Sequence, residues 1–243
     1  MRQVPCYLLI GNGRVARHFR HYFSLLSLSF STWHRHEPLA KLQQQLPHAT
    51  HILLLISDDA IEDFYAQQLK NYLNNHSAYC IHFSGSVVSE HIYGAHPLMS
   101  FSHDLYELAH YQTIPFVVDH HAPAFEILLP HINNQHVRLH TSQKAKYHAL
   151  CVLSGNFSCL LWQKLFASLE QEFQFSPTIA HAYLLQQTRQ LIFNPQQALT
   201  GPLVRNDLKT IEKNLAALAA DPFQLVYKSF VECYQNLFLQ QEK

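Results

Sequence analysis

The sequence predicts an α/β fold, a doubly wound sheet in the N-terminal part of the chain, followed by an all-α C-terminal domain. Three observations support this expectation. Short apolar runs alternate with helix-like segments over the first 140 residues, no strand signal follows, and an apolar fraction of 48% is enough for a full hydrophobic core. We therefore expect two domains, residues 1–140 and 141–243.

The predicted strands are short and almost wholly apolar, which is typical of strands buried on both faces of a parallel sheet. They are Val4–Ile10, Leu28–Trp33, His51–Ile56, Tyr79–Phe83, Ile114–Val118 and Val137–Leu139. The helices predicted between them are Arg14–Leu26, Pro38–Leu46, Asp59–Leu73 and Pro123–Ile132. The helices predicted for the second domain are Thr141–Leu169, Thr178–Phe193, Asp207–Ala220 and Pro222–Gln241, with Asp207 as an N-cap.

Composition and charge argue against several classes of protein. Lysine plus arginine equals aspartate plus glutamate at 17 each, so the chain has no general attraction for nucleic acid or an anionic membrane. No apolar run reaches the ~18 residues of a membrane span, and the N-terminus lacks a signal-peptide pattern. The five cysteines form no Cys-x-x-Cys pair, which fits a reducing compartment. We expect a cytoplasmic protein with neither a nucleic acid nor a membrane partner.

A glycine-rich turn follows the first predicted strand and opens a helix. Its sequence is Gly11-Asn12-Gly13-Arg14-Val15-Ala16, the G-x-G-x-x-A pattern of a Rossmann dinucleotide site. Gly11 allows the tight turn, Gly13 lets a pyrophosphate approach the backbone, and Ala16 lets helix and strand pack closely. The free N–H groups at the helix start would bind the diphosphate. The alternative is a glycine turn in an α/β domain that binds no nucleotide.

The end of the second strand decides between the two nicotinamide dinucleotides. An acidic residue there binds the ribose hydroxyl of NAD, whereas an arginine accommodates the 2′-phosphate of NADP. Arg35 lies at the right distance, and Thr32 and His34 can add hydrogen bonds. Glu37 is the competing acidic candidate, but it starts the next helix. The pattern favours NADP(H) over NAD(H); alternatively, Arg35 is a solvated surface charge.

Several later stretches together resemble a known family. They are Ile81–Gly85, His96–Phe101, Tyr147-His148, Asn156 and Ala198–Asp207. Together these stretches resemble a bacterial family that joins a Rossmann-like domain to a helical domain of unknown function. That family is similar to deazaflavin-dependent NADP reductases, pyrroline-5-carboxylate reductase, ketopantoate reductase and the 6-phosphogluconate dehydrogenase group. The resemblance implies an NADP site, a homodimer and a reductase activity, without a substrate.

The chain departs from the family at one turn. The Arg-Gly-Asp that usually follows the Thr-Gly-Pro turn is here Arg205-Asn206-Asp207. Asparagine tolerates the left-handed backbone conformation that glycine often serves, so we expect the turn to survive. A role that needs close approach to the backbone at this point is less secure.

The candidate residues of the first domain follow predicted strands. Ligands of doubly wound sheets bind outside the carboxyl ends of the strands. Ser57 and Asp58 follow one such strand, and Ser84 and Gly85 follow another. We expect all four close to the cofactor, with Ser84 bonding the nicotinamide amide or the substrate. The alternative is an ordinary strand-ending turn.

The long predicted helix carries the catalytic candidates. Lys144 and His148 fall close to one helix face, and Asn156 lies on its flank. Similar dehydrogenases place a catalytic lysine and asparagine on the matching helix. We therefore expect His148 to donate a proton, Asn156 to orient the acceptor, and Lys144 to assist. The alternatives are a hydrogen-bonded core histidine and a lysine that faces water.

Two further residues are candidates for binding the substrate. His96 ends an extended segment before Pro97 and could face the same cleft; alternatively, proline fixes it in a turn. Arg205 is a candidate for holding a substrate carboxylate, and pairing with Asp207 is the alternative.

These features predict an NADP(H)-dependent oxidoreductase that transfers a hydride to or from a carbonyl or imine of a small polar metabolite. The alternative is a non-catalytic NADP(H)-binding protein, such as a redox sensor. No metal site is expected, because neither His34-x-His36 nor His120-His121 belongs to a ligand framework. The active cleft is expected between the two domains.

Overall fold

The computed structural model describes residues 4–239 and contains a seven-stranded sheet flanked by helices, followed by a helical C-terminal part. The strand order is β2-β1-β3-β4-β5-β6-β7, and all neighbours are parallel except β5 and β6. The predicted fold class is confirmed. The strands are β1 Tyr7–Ile10, β2 Phe30–Trp33, β3 His51–Leu54, β4 Tyr79–His82, β5 Tyr93–Pro97, β6 Phe116–Asp119 and β7 His136–Leu139.

The central strands are buried on both faces, as their apolar sequences predict. In β1, Tyr7 and Leu9 contribute to one hydrophobic cluster, and Leu8 and Ile10 contribute to the other. Alternate side chains of a strand point to opposite faces, so one apolar run supplies the cores of both layers. This burial holds the carboxyl edge of the sheet, where the candidate residues lie, on a rigid base.

The helices agree with most of the predicted segments. In the first part of the chain they are α1 Arg14–Leu25, α2 Leu39–Gln45, α3 Ile61–Phe64, α4 Lys70–Leu73, α5 Leu108–Thr113, α6 Phe125–Leu128 and α7 Lys144–Cys151. The later helices are α8 Ser158–Gln171, α9 His181–Phe193, α10 Leu208–Ala217 and α11 Phe223–Tyr234. A π-helical turn, Val152–Phe157, joins α7 to α8. The predicted end of the last helix, Gln241, lies outside the described residues.

Two elements were not predicted as such, β5 and α5. Gly94 and Pro97 lie within β5, and both residue types weaken a strand pattern. The strand exists because it pairs with β4 on one side and with β6 on the other. The antiparallel pairing of β5 with β6 brings Asp119, the last residue of β6, beside Gly94.

Backbone contacts divide the chain into two compact units, residues 1–161 and 162–243. The predicted boundary at residue 140 coincides with the end of β7, whereas the contact boundary falls inside the long helix. The reason lies in the start of α7, where the side chains of Lys144 and Tyr147 reach Asp119 and His96 of the sheet. The first unit therefore contains the whole sheet and the helix that carries His148.

The second unit buries few apolar side chains. Among its described residues they are Leu169, Ala180, Ile211 and Val231. The turn and the helix cap that its sequence predicts are nevertheless present. Asn206 adopts the left-handed conformation, with φ of 51°, and Asp207 caps α10 by accepting the Thr210 N–H at 3.1 Å. The helix ends of this unit are thus well defined, whereas its hydrophobic core is small.

The helix from Thr141 to Gln171 is the one segment of the described residues that passes a length and hydropathy test for crossing a membrane. It has 31 residues and a mean hydropathy of 1.2 in its most apolar window, none of which is buried within the chain. The core helix of a protein outside membranes can meet the same test. Its first turns lie against the sheet through the buried Lys144 side chain.

Candidate functional site

The glycine turn after β1 has the shape that a diphosphate requires. Gly11 has φ of +134°, and a Cβ there would lie 2.1 Å from the backbone oxygen of Leu55, so any side chain is excluded. A Cβ at Gly13 would meet nothing within 4 Å, which leaves open space in front of the helix. No side chain caps α1, while Ala16 is buried and Val15 is half-buried behind it. The first N–H groups of α1 thus remain available to an anion.

Two polar side chains of the turn are held by neighbouring groups. The amide oxygen of Asn12 accepts a hydrogen bond from Arg20 at 2.8 Å, and the Arg14 guanidinium donates to the carbonyl oxygen of Phe101 at 3.3 Å. Both side chains are exposed at the start of α1. They place one amide and one positive charge beside the open helix end.

The segment after β2 holds both Arg35 and Glu37, the two candidates for contact with the ribose. Glu37 is engaged by the protein itself, since it accepts the backbone N–H of His34 at 3.0 Å and bonds to Lys41. The bond to Lys41 is the main cause that lowers the pKa of Glu37. Arg35 is exposed, and Thr32 is half-buried in the adjoining strand. Glu37 is thus engaged within the protein, whereas the Arg35 side chain is exposed.

The turns that follow β3 and β4 are joined through one carboxylate. The Ser84 hydroxyl donates to Asp58 Oδ2 at 2.6 Å, and the Ser86 hydroxyl contacts the same oxygen at 3.2 Å. The Ser84 oxygen also accepts the N–H groups of Ser86 and Val87, each at 3.1 Å. Ser57 lies exposed at the start of the turn that contains Asp58. Ser84 therefore has little capacity left for a ligand, whereas Asp58 is exposed.

Gly85 is the point where the sheet edge meets the long helix. A Cβ on Gly85 would lie 2.6 Å from Cδ2 of His148 and 3.2 Å from two ring carbons of His96. The two imidazole rings are 6.1 Å apart at 86°. Tyr147, the residue before His148, places its hydroxyl 2.9 Å from Nδ1 of His96. The structure thus brings together Gly85, His96 and His148, three residues that the sequence singled out.

Lys144 and Asp119 form a buried ion pair beside Gly94 of β5. Lys144 Nζ is 2.8 Å from Asp119 Oδ1, with 4% and 2% of the two side chains exposed. Asp119 Oδ2 also accepts the Gly94 N–H at 2.7 Å. A Cβ at Gly94 would lie 2.6 Å from both charged groups, so glycine makes room for the pair. Lys144 Nζ is close enough to Asp119 for an ion pair, but its geometry meets the criteria for a hydrogen bond to none of the described residues. The alternative that Lys144 faces water is wrong, because its side chain is buried.

His82 stands next to this pair and is completely buried. It is paired in register with Gly94, so its side chain lies on the face occupied by Lys144 and Asp119. Its Nδ1 accepts the Ser84 N–H at 3.2 Å, whereas Nε2 has no partner among the described residues. Burial, reinforced by the Lys144 charge and opposed by Asp119, lowers the pKa of His82 to about 4. His82 is therefore neutral near pH 7.

Burial also governs the His96–Tyr147 pair. It lowers the pKa of His96 to about 4, with smaller contributions in the same direction from His148 and Lys144, and Asp58 opposes them. Burial raises the pKa of the Tyr147 phenol, and the neighbouring Cys151 raises it further. Both members of the pair are consequently neutral over the physiological range.

Two further candidates are exposed. Asn156 belongs to the π-helical turn and is exposed. Arg205 belongs to the second unit, where its side chain is exposed and its N–H donates to Gly201 at 3.3 Å. Their proposed roles stay predictions. Across residues 4–239, no group of three or more His, Cys, Asp or Glu side chains could hold a metal ion.

Sequence reasoning missed three residues of the cluster, Asp119, His82 and Tyr147. Asp119 carried a usable signal, because a carboxylate that ends the apolar run Phe116–Val118 needs a buried cation as its partner. His82 interrupts an apolar strand in the same way. Tyr147 entered the resemblance but received no role of its own.

The fold and the turn after β1 define a Rossmann-like α/β protein with a helical C-terminal region. The chain belongs to the family described as "Domain of unknown function (DUF2520)", whose profile matches residues 114–237, more than half of its length. The resemblance drawn from the sequence motifs is thereby confirmed. No curated protein matches the chain.

Several solved structures share the fold. A Bacteroides fragilis protein, whose name proposes an NADP oxidoreductase, aligns with a TM-score of 0.73 and 21% identity over 96% of this chain and 98% of that chain. A Thermotoga maritima protein aligns with a TM-score of 0.66 and 18% identity over 98% and 100% of the two chains. A reductive aminase from Aspergillus terreus, in complex with NADPH and ethyl-5-oxohexanoate, gives 0.57 and 15% over 95% and 93%. At these identities the likeness concerns the fold.

Proposed function

We propose that this protein is an NADP(H)-dependent oxidoreductase that transfers a hydride to or from a carbonyl or imine of a small polar metabolite. One observation supports the proposal above the others. A diphosphate-shaped turn and a cluster of imidazoles around Gly85 occupy the same carboxyl edge of one sheet, where such folds bind ligands. Proteins of similar fold include a reductive aminase in complex with NADPH and an imine reductase in complex with NAD⁺.

The residues present fit a bound NADP(H). Residues 11–16 would hold the diphosphate through the open N–H groups of α1. Arg35, with Thr32 and His34, would bind the 2′-phosphate, since Glu37 is already engaged by Lys41. Ser57, Asp58, Ser84 and Gly85 would border the nicotinamide end. NADPH, when bound, supplies the hydride.

The imidazole cluster supplies the groups that a reduction needs around the substrate. His148, half-buried against Gly85, is proposed as the proton donor to the heteroatom that receives negative charge. His96 would contact the substrate beside it. Asn156 is proposed to orient the acceptor group, and Arg205 to hold a carboxylate.

Lys144 acts differently from the way the sequence suggests. Its ammonium is buried against Asp119, so a proton transfer from it would first have to break an ion pair. We propose that it works as a fixed positive charge, which helps to keep His82 and His96 neutral. The polar surroundings of His148 also favour an enzyme over a non-catalytic sensor.

A second copy of the chain is the proposed partner. The middle of the long helix, which belongs to the first unit, carries four apolar side chains that are each about half exposed, Leu150, Leu153, Phe157 and Leu160. In the second unit, Ile192 is 70% and Phe193 is 84% exposed. Apolar surface of this extent, in a unit with so few buried side chains, calls for cover by another protein surface. A homodimer would supply that cover.

The cofactor proposal is tested by titrating the protein with NADPH and with NADH and following the nicotinamide fluorescence. We expect tighter binding of NADPH. Arg35→Asp should weaken NADPH binding about tenfold or more, as expected for a lost charge-assisted bond, and should spare NADH. Arg189→Asp, an equal charge change on exposed α9, is the matched control. Equal affinities for the two dinucleotides in the wild type at moderate salt would contradict the proposal.

The catalytic proposal is tested by screening carbonyl and imine metabolites while following NADPH absorbance. His148→Gln keeps a hydrogen-bonding group but removes the titrating acid. With an active substrate, turnover should fall by about 100-fold or more, while NADPH affinity stays nearly unchanged. A variant with wild-type turnover would exclude His148 as the proton donor.

A further inference from the structure

The contact between Tyr147 and His96 has a chemical consequence beyond packing. The Tyr147 hydroxyl lies 2.9 Å from Nδ1 of His96, across the junction of α7 and β5. In a neutral imidazole one nitrogen carries the proton and the other accepts a hydrogen bond. The partner of Nδ1 therefore decides which tautomer is present.

The phenol acts as the donor in this pair. Burial and Cys151 raise the pKa of Tyr147, so the phenol retains its proton and needs an acceptor for it. Two acceptors are near, the lone pair of His96 Nδ1 and the sulfur of Cys151. An imidazole nitrogen is a much better acceptor than a thiol sulfur. Nδ1 therefore receives the bond, and the imidazole proton sits on Nε2.

We propose that Tyr147 fixes His96 as the neutral tautomer with its proton on Nε2, and that this N–H holds the carbonyl oxygen or imine nitrogen of the substrate beside Gly85. Tyr147 is thus a positioning residue that acts through His96. The part that concerns the substrate rests on the proposed function, whereas the tautomer is a property of the free protein.

The surroundings of His96 leave Nε2 free for this task. The nitrogen hydrogen-bonds no described residue, yet it is not among the buried nitrogen atoms without a partner, so it remains in contact with solvent. The absence of a side chain at Gly85 lets the His96 ring lie against the backbone of the turn after β4. A ligand atom can therefore take the place of water at Nε2.

The charged groups around His96 keep the donor in one state. Burial is the main effect that disfavours a second proton, and His148 and Lys144 on α7 act in the same direction. Asp58 after β3 opposes them, and the pKa of His96 falls to about 4. A neutral N–H offers the same hydrogen bond at every pH of interest and does not lose its proton to water. His148 then remains the group that gives the proton.

The tautomer can be tested without substrate or cofactor. Long-range ¹H–¹⁵N correlation spectra of the uniformly ¹⁵N-labelled protein distinguish Nδ1 from Nε2 protonation, and the signals missing in His96→Gln identify this ring among the 19 histidines. We expect the Nε2–H form, with no titration above about pH 5. An Nδ1–H ring, or a titration between about pH 6 and 7, would overturn the proposal.

Removal of one hydroxyl tests the cause. Tyr147→Phe should convert His96 to a mixture of both tautomers. Tyr111→Phe is the matched control, because it deletes a hydroxyl 2.8 Å from Nδ1 of another buried histidine, His18. It should change the signals of His18 and leave those of His96 as they were. A His96 tautomer that is unaffected by Tyr147→Phe would refute the positioning role.

A substrate, once found, allows a kinetic test of the same coupling. Tyr147→Phe should lower kcat about tenfold in the wild type, the effect of one lost hydrogen bond. In His96→Gln, whose amide N–H stands in for Nε2–H but does not receive the tyrosine bond, the same change should have little effect. Equal losses in both backgrounds would overturn the coupling. The spectra on the free protein separate this failure from a failure to bind NADPH.

Discussion

Replacement of Lys144 by methionine is expected to be among the most destabilising single changes in the first unit. The substitution keeps the volume of the side chain but leaves the Asp119 carboxylate, 2% exposed, with one neutral partner, the Gly94 N–H at 2.7 Å. The loss of one member of a buried ion pair costs about 3–5 kcal/mol. That is a large share of the roughly 5–15 kcal/mol that holds a typical domain together.

The assay is urea denaturation followed by far-ultraviolet circular dichroism, at one fixed protein concentration because the proposed dimer would make the stability depend on concentration. Lys41→Met is the control, since Lys41 pairs with Glu37 at the surface, where an ion pair is worth about 0–1 kcal/mol. The double variant Asp119→Asn with Lys144→Met removes both charges. It should be less destabilised than the sum of the two single variants by roughly 2 kcal/mol or more.

Two results would refute this reasoning. If Lys144→Met cost no more than Lys41→Met, the Asp119 carboxylate would have to be hydrated or protonated in the folded protein, contrary to its burial. If the two single variants were strictly additive, the charges would not interact across 2.8 Å. The double variant also keeps the test informative when Lys144→Met alone fails to fold.

Three further outcomes are expected. Gly85→Ala should displace the His148 ring, because its Cβ would lie 2.6 Å from Cδ2, and should lower turnover while NADPH affinity measured by fluorescence changes little. The pKa of His82 is about 4 in the folded protein and roughly 6.5 in the unfolded chain, so protons bind preferentially to the unfolded chain between these values. The contribution of His82 should therefore lower the stability by roughly 3 kcal/mol as pH falls from about 6.5 to 4. His82→Asn should remove that part of the pH dependence and leave the part due to His96, whose pKa is also about 4, in denaturation curves recorded at several pH values. Sedimentation velocity should show a dimer at micromolar concentration that Phe193→Asp weakens; a clean wild-type monomer would contradict the dimer proposal.

The part of the site that the sequence identified is local in the chain. The turn from Gly11 to Ala16 consists of six consecutive residues. It depends on backbone conformation and close packing, which the positions of its glycine and alanine residues indicate directly. Asp207 as a helix cap and Asn206 in the left-handed region were readable for the same reason. Each of these features depends on neighbours a few residues away.

The polar cluster depends instead on distant pairings. Asp119 and Lys144 meet because β6 runs antiparallel to β5, and β5 itself was hidden by Gly94 and Pro97. Without β5, no argument from spacing could place His82 opposite Gly94. Because β5 was not predicted, the pairing of Asp119 with Lys144 could not be predicted either.

The sequence by itself determined the fold class, the dinucleotide turn and most of the helices, because apolar periodicity, glycine positions and caps are local consequences of backbone geometry. The tertiary structure alone decided that Lys144 is buried and paired with Asp119, and that the Tyr147 hydroxyl lies within hydrogen-bond distance of His96 Nδ1. It also decided that the Ser84 hydroxyl donates a hydrogen bond to Asp58. These contacts join residues from 25 to 51 positions apart along the chain. The order and direction of the strands, which no local pattern encodes, bring such residues together.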